Sequence, residues 1–152
     1  MKRNYIIVFL FFALTALGQI KTHSFSEIEE LNKTTPKPTL VFVHTSWCKY
    51  CKMMENGSFK NQSIVQMLNE NFYFVSLNAE EQSDIMFLNH TFKFIPSGKN
   101  TGVHELATEL ATINGEITYP TIAVLASDYS VLFQKDSYIN ANELAAILQK
   151  LK

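Results

Sequence analysis

The sequence predicts an α/β domain built on a mixed central sheet flanked by helices, and three observations predict it. Leu40-Val41-Phe42-Val43 is a continuous apolar run, the pattern of a strand buried on both faces of a sheet. That run passes directly into Thr45-Ser46-Trp47-Cys48-Lys49-Tyr50-Cys51-Lys52, where a strand gives way to a helix at the only two cysteines of the chain. Beyond it the order reads strand, helices, strand, strand, helix, which is an α/β succession.

The elements follow in order. Met1-Lys2-Arg3-Asn4, an apolar stretch from Tyr5 to Leu14 and Ala16-Leu17-Gly18 have the three parts of a cleavable secretory signal peptide. Cleavage after Gly18 leaves one domain, residues 19–152. The apolar stretch is shorter than the ~20 residues of a membrane-spanning helix, which argues against an uncleaved anchor. No cysteine follows it that would take a lipid of the bacterial lipoprotein kind. Ser24-Phe25-Ser26-Glu27 fits a capping box ahead of a helix carrying Phe25, Ile28 and Leu31, which ends at Pro36 and Pro38. Thr39–His44 is the first strand. A helix begins at Cys48, Gly57-Ser58 interrupts or bends it, and Phe59, Ile64, Val65 and Leu68 carry the helical pattern to Asn69.

Phe72–Leu77 is the next strand. Ala79–His90 reads as a helix enclosing Ile85, Met86 and Leu88, Phe92–Gly98 as a loop or short extended piece, and Val103–Ile113 as a further helix stopped by Asn114-Gly115. The chain closes with strand Thr121–Leu125, a turn near Ser127-Asp128, strand Ser130–Gln134, and a helix capped at Asn140 with Glu143 three residues on.

The chemistry concentrates in the cysteines. A disulfide across two intervening residues closes so short a loop that it restricts the unfolded chain very little, so the pair is better explained by reactivity than by stability. At a helix N-terminus, unpaired N–H groups and the helix dipole favour a thiolate on Cys48 below the reference pKa of ~8.5. Lys49 and Lys52 add positive charge nearby. Tyr119-Pro120-Thr121, about 70 residues on, opens a second apolar strand, and a proline at the start of a strand is where a cis peptide bond can face the sulfurs.

His44 through Glu55, with Tyr119-Pro120-Thr121, resembles the thioredoxin superfamily, and the resemblance runs from Phe25 to Leu151. It is nearest to small exported bacterial thioredoxin-like proteins and to the C-terminal domain of DsbD-type reductants. It implies a thioredoxin fold with Cys48 as exposed nucleophile, Cys51 as buried resolving thiol, Trp47 as aromatic flank and Pro120 as the cis-proline. Tyr119 would then offer its backbone to an extended peptide. Two departures stand out. Where thioredoxins carry a buried acid six residues before the first cysteine, this chain has Phe42. Glu55, one helical turn beyond Cys51, matches a glutamate near the DsbD-type site; it either replaces that acid in part or is an ordinary solvated helix residue. The stretch from Asn78 to Tyr119 is about twice the minimum, which implies a helical insertion at about 79–118 that shapes a partner surface. Lys49-Tyr50 is neither the Gly-Pro of reducing thioredoxins nor the Pro-His of strong oxidants, so the direction of electron flow stays open.

This reading gives an exported, periplasmic or secreted thiol–disulfide oxidoreductase that reduces or isomerises disulfides of other exported proteins. Its partners would be protein thiols or disulfides and a membrane or periplasmic electron donor, and it would act as a monomer without cofactor. The alternative is a thioredoxin-fold binding or redox-sensing protein without turnover. Loss of residues 1–18 removes Lys2 and Arg3 and leaves 11 basic against 14 acidic residues, a net charge of −3, which speaks against nucleic acid as a partner. No metal is expected: Cys48, Cys51 and His44 make three ligands where structural zinc takes four, and His23, His90 and His104 have no helpful spacing.

Overall fold

The computed structural model describes residues 18–152. The expected leader lies, but for Gly18, outside the described residues. The elements are α1 (Phe25–Thr34), β1 (Thr39–His44), α2 (Lys49–Asn56), a 3-10 turn (Ser58–Lys60), α3 (Gln62–Asn71), β2 (Tyr73–Asn78), β3 (Ile85–Phe87), β4 (His90–Phe92), β5 (Phe94–Pro96), β6 (Gly102–His104), α4 (Glu105–Ala111), β7 (Thr112–Ile113), β8 (Glu116–Ile117), β9 (Thr121–Leu125), β10 (Val131–Lys135) and α5 (Ala141–Leu151).

Strands β10-β9-β1-β2 form one mixed sheet. β1 runs parallel to β2 and antiparallel to β9, and β10 is antiparallel to β9. The period of two along β1 divides the interior. Leu40 and Phe42 face a layer holding Met54, Ile64, Leu68, Leu144 and Leu148 of α2, α3 and α5. Val41 and Val43 face the opposite layer, with Phe25 and Ile28 of α1 and Leu106 and Leu110 of α4. Burial on both faces explains why β1 reads as an unbroken apolar run.

The helix starts follow the capping residues expected. Ser24 and Glu27 form the reciprocal capping box of α1, and the Asn140 side chain accepts from the Glu143 N–H at the head of α5. Before α1, Thr22 makes a single parallel bridge to Phe74, and the His23 N–H donates to the Phe74 carbonyl at 2.8 Å.

The segment between β2 and β9 departs from expectation. Ala79–His90 is a turn followed by the β3–β4 hairpin, in which Phe87 is buried while Met86 stands 63% exposed. Leu88 and Asn89 form its turn with φ of 52° and 58°, the left-handed pair that joins two strands tightly. The Leu88 N–H donates to Glu29 Oε1 at 3.1 Å, fastening the hairpin to α1. Val103–Ile113 is shortened to α4, because Gly102–His104 pairs with Phe94–Pro96 and the His104 imidazole caps the helix at Leu106 N–H. The segment thus holds one helix and three small two-stranded sheets rather than two helices.

Candidate active site

β1 delivers the chain to the edge of the sheet at His44, and the turn that follows places Cys48 as N-cap of α2. There its sulfur accepts from the Cys51 N–H at 3.1 Å. This is the position where the first-turn N–H groups lack intrahelical partners. A disulfide joins Cys48 and Cys51 across a Cα–Cα distance of 5.2 Å. Cys51 is fully buried. Cys48, expected to be exposed, is only 4% exposed, because its side chain packs into the layer that holds Phe42 and Met54.

The surface around the pair is aromatic. Trp47 is 68% and Tyr50 58% exposed. The Trp47 indole N–H donates to Glu80 Oε1 at 3.0 Å, and its ring meets Tyr119 edge-on at 6.1 Å. The Tyr119–Pro120 peptide bond is cis. Burial, with the Glu80 charge nearby, raises the Tyr119 phenol above its ordinary pKa. Lys49 lies exposed in the first turn of α2.

Beneath the pair the site is apolar. Phe42 is buried, stacked on His44 with centroids 5.1 Å apart and edge-on to Phe59 at 4.9 Å. The nearby carboxylate on α2 is Glu55, whose Oε2 accepts from Lys52 Nζ at 2.8 Å. Its Oε1 lies 4.0 Å from His44 Nδ1, an atom that is buried without a hydrogen-bond partner among the described residues. His44 Nε2 shares a hydrogen with Ser76 Oγ at 2.9 Å. Burial holds His44 below its ordinary pKa, with Glu55 pulling the other way and Lys52 reinforcing the depression. Glu55, Phe42, Phe59, Phe74 and Ser76 line a cavity of about 520 Å³ behind the helix.

The sequence reading singled out Trp47, Cys48, Lys49, Tyr50, Cys51, Glu55, Tyr119 and Pro120. The structure sets Trp47 edge-on to Tyr119, places Tyr50 and Pro120 in the lining of one cleft, and brings Glu55 to 4.0 Å from His44. Sequence reasoning missed Glu80 and Ser76. The signal was available, since parallel pairing sets His44 opposite Asn78 and so brings the residues around the end of β2 to the end of β1. Nothing local marked Asp136 and Tyr138, which line a cleft together with Tyr119 and Pro120 from the β10–α5 connection. Among the described residues, no group of three or more His, Cys, Asp or Glu side chains is placed to hold a metal ion.

Residues 25–152 match the family described as thioredoxin-like domain. Among curated proteins, mouse spermatogenesis-associated protein 20 is 42% identical over 60 residues, which are 40% of this chain and 8% of that protein. The chain thus spans less than a tenth of the length of the curated relatives it matches. Among solved structures, DsbH oxidoreductase aligns with a TM-score of 0.62 at 18% identity over 90% of this chain and 89% of that one. The reduced C-terminal domain of DsbD from Neisseria meningitidis gives 0.53 at 16% identity over 82% and 90%. At these identities the two structures establish the shared fold alone. The family match, which runs from the first residue of α1 through the whole of α5, places the chain in the thioredoxin-like domain family.

Proposed function

We propose that the protein is an exported thiol–disulfide oxidoreductase that acts on cysteines of other exported proteins. The observation that carries this reading is the Cys48–Cys51 disulfide at the head of α2, with the aromatic side chains of Trp47, Tyr50 and Tyr119 grouped about it. In the reducing direction, the Cys48 thiolate attacks one sulfur of a substrate disulfide, forms a mixed disulfide and releases the other sulfur, which takes up a proton. Cys51 then loses its proton and attacks the Cys48 sulfur. That step releases the second substrate thiol and leaves the Cys48–Cys51 disulfide, so two electrons have passed to the substrate. A thiol or dithiol donor restores the pair, and the same steps reversed make the protein an oxidant.

The scheme assigns each neighbouring residue a role. Trp47, held by Glu80, and Tyr119 flank the reacting sulfurs, with the Tyr119 backbone offered to an extended substrate chain beside Pro120. Lys49 adds positive charge at the head of the helix. Phe42 provides no proton acceptor, so Glu55, facing a cavity open to solvent, receives the Cys51 proton through water. Export rests on the leader read in residues 1–18.

One observation favours a second reading, a thioredoxin-fold binding or redox-sensing protein without turnover: Cys48 is nearly as buried as Cys51. Turnover separates the two. The mature protein should reduce a protein disulfide in the presence of dithiothreitol at a rate well above the reagent alone, and Cys48→Ser should abolish the excess. Stoichiometric oxidation without catalysis would favour the sensing protein.

A further inference from the structure

Beside the cis bond lies a cleft of about 400 Å³ lined by Tyr50, Tyr119, Pro120, Asp136, Ser137 and Tyr138. Three of its six residues are tyrosines and one is a carboxylate, and none is basic. Asp136 is exposed, and its carboxylate makes no hydrogen bond or ion pair among the described residues. Its neighbour Lys135 is engaged elsewhere, with Nζ 3.0 Å from Glu143 Oε1. On the far side of Tyr119, Glu80 adds a second negative charge within electrostatic reach of that ring. Lys49, the free cation nearest in sequence, is not part of the lining.

Aromatic faces carry negative potential and attract a cation, most of all where a carboxylate closes the other side. An apolar or aromatic occupant would instead have to desolvate Asp136 without compensating it. We propose that this cleft is a substrate subsite for an arginine or lysine side chain lying one or two residues from the target cysteine. The reach is set by the chain. Tyr50, two residues beyond Cys48 in the first turn of α2, lines the cleft, and each extended substrate residue spans about 3.3–3.6 Å, so on this proposal a side chain flanking the target cysteine reaches the cleft while its sulfur meets Cys48. The inference rests on the oxidoreductase reading and deepens it by naming the substrate class as disulfides with basic flanks.

The test compares cysteine peptides capped as mixed disulfides with 2-mercaptoethanol, carrying arginine, norleucine or glutamate in the flanking positions. Pre-reduced full-length protein is mixed with each, the reaction is quenched in acid, and the second-order rate constants are read by chromatography. Arginine should exceed norleucine by about fivefold to tenfold, and glutamate should be slowest. The arginine advantage should shrink at 0.5 M salt. In Asp136→Asn the arginine-to-norleucine ratio should fall below about twofold, and in Asp136→Lys the order of arginine and glutamate should invert. Equal rates for arginine and norleucine, faster norleucine, or an arginine preference undiminished in Asp136→Asn would each overturn the subsite. Hydroxyethyl disulfide, small and uncharged, separates the two levels. If it is consumed while the peptides show no charge preference, only the subsite fails; if neither it nor any peptide is consumed, the oxidoreductase reading fails and the subsite with it.

Discussion

Replacing Glu55 by glutamine keeps the shape of the side chain and removes its charge, and the structure sets how large each consequence should be. The side chain is 30% exposed and its partner Lys52 53% exposed, so the ion pair at 2.8 Å is screened by solvent. Its loss should cost less than about 1 kcal/mol, at most about 4 °C in Tm. The kinetic effect should be larger and confined to one step. A well-placed general base contributes about 10²–10⁴ in rate. Glu55 would act through water in competition with bulk solvent, so about a tenfold loss in resolution is expected. Attack by Cys48, which needs no proton acceptor once the thiolate is formed, should change less than twofold. Trp47 is the only tryptophan of the chain and precedes Cys48 directly, so its fluorescence can report both steps in stopped flow. The attack phase scales with substrate concentration and the resolution phase does not. A general electrostatic effect would show instead as a lowered Cys48 pKa and an altered attack phase, because removing a nearby negative charge favours the thiolate. Unchanged phases at every pH would refute the proton-acceptor role and leave Glu55 an ordinary helix residue.

Two further predictions concern the support of the site. Burial depresses the His44 pKa below its ordinary value of 6.5, so its NMR titration should fall below that value, lower still in Glu55→Gln and higher in Lys52→Met. Because the unfolded chain binds this proton more tightly, the His44 contribution to stability is complete above about pH 6.5 and is lost as pH falls through the folded value. His44→Gln should flatten the stability profile in that window, and a resonance titrating above 6.5 would contradict the burial argument. Ser58 Oγ donates to the Ile139 carbonyl at 2.6 Å within the core. Ser58→Ala should therefore leave that carbonyl unpaired and lower stability by about 1–3 kcal/mol, read as a reduced urea midpoint with an unchanged slope.

The parts of the fold that were legible are those in which local pattern and tertiary demand agree. The apolar run of β1 and the caps at Ser24 and Asn140 identify their elements because each residue's preference matches its final environment. The hairpin β3–β4 was misread because Ile85, Met86 and Leu88 can be counted on one helical face. In the structure Ile85 and Phe87 turn inward and Met86 outward, a period of two over only three residues. The turn at Leu88-Asn89 gave little warning, since leucine seldom takes a left-handed conformation. At the site, the residues beside the cysteines and the Tyr119-Pro120 pair, marked by a proline at a strand start, were found, whereas residues brought in with no local mark were not. Ser76, Glu80, Asp136 and Tyr138 approach from β2, the turn after it and the β10–α5 connection. Their roles depend on register and on loop paths that no local pattern encodes.

If Cys48 attacks and Cys51 resolves, removing the resolving thiol traps the substrate on the protein. Cys51→Ser in the full-length protein, mixed with a disulfide-bonded protein substrate and analysed on a non-reducing gel, should accumulate a covalent complex that dithiothreitol dissolves. Cys48→Ser should form none, because Cys51 is fully buried beneath the head of α2. A complex formed by Cys48→Ser and not by Cys51→Ser would reverse the two roles, and no complex with either variant would rule out attack by either cysteine on a protein disulfide.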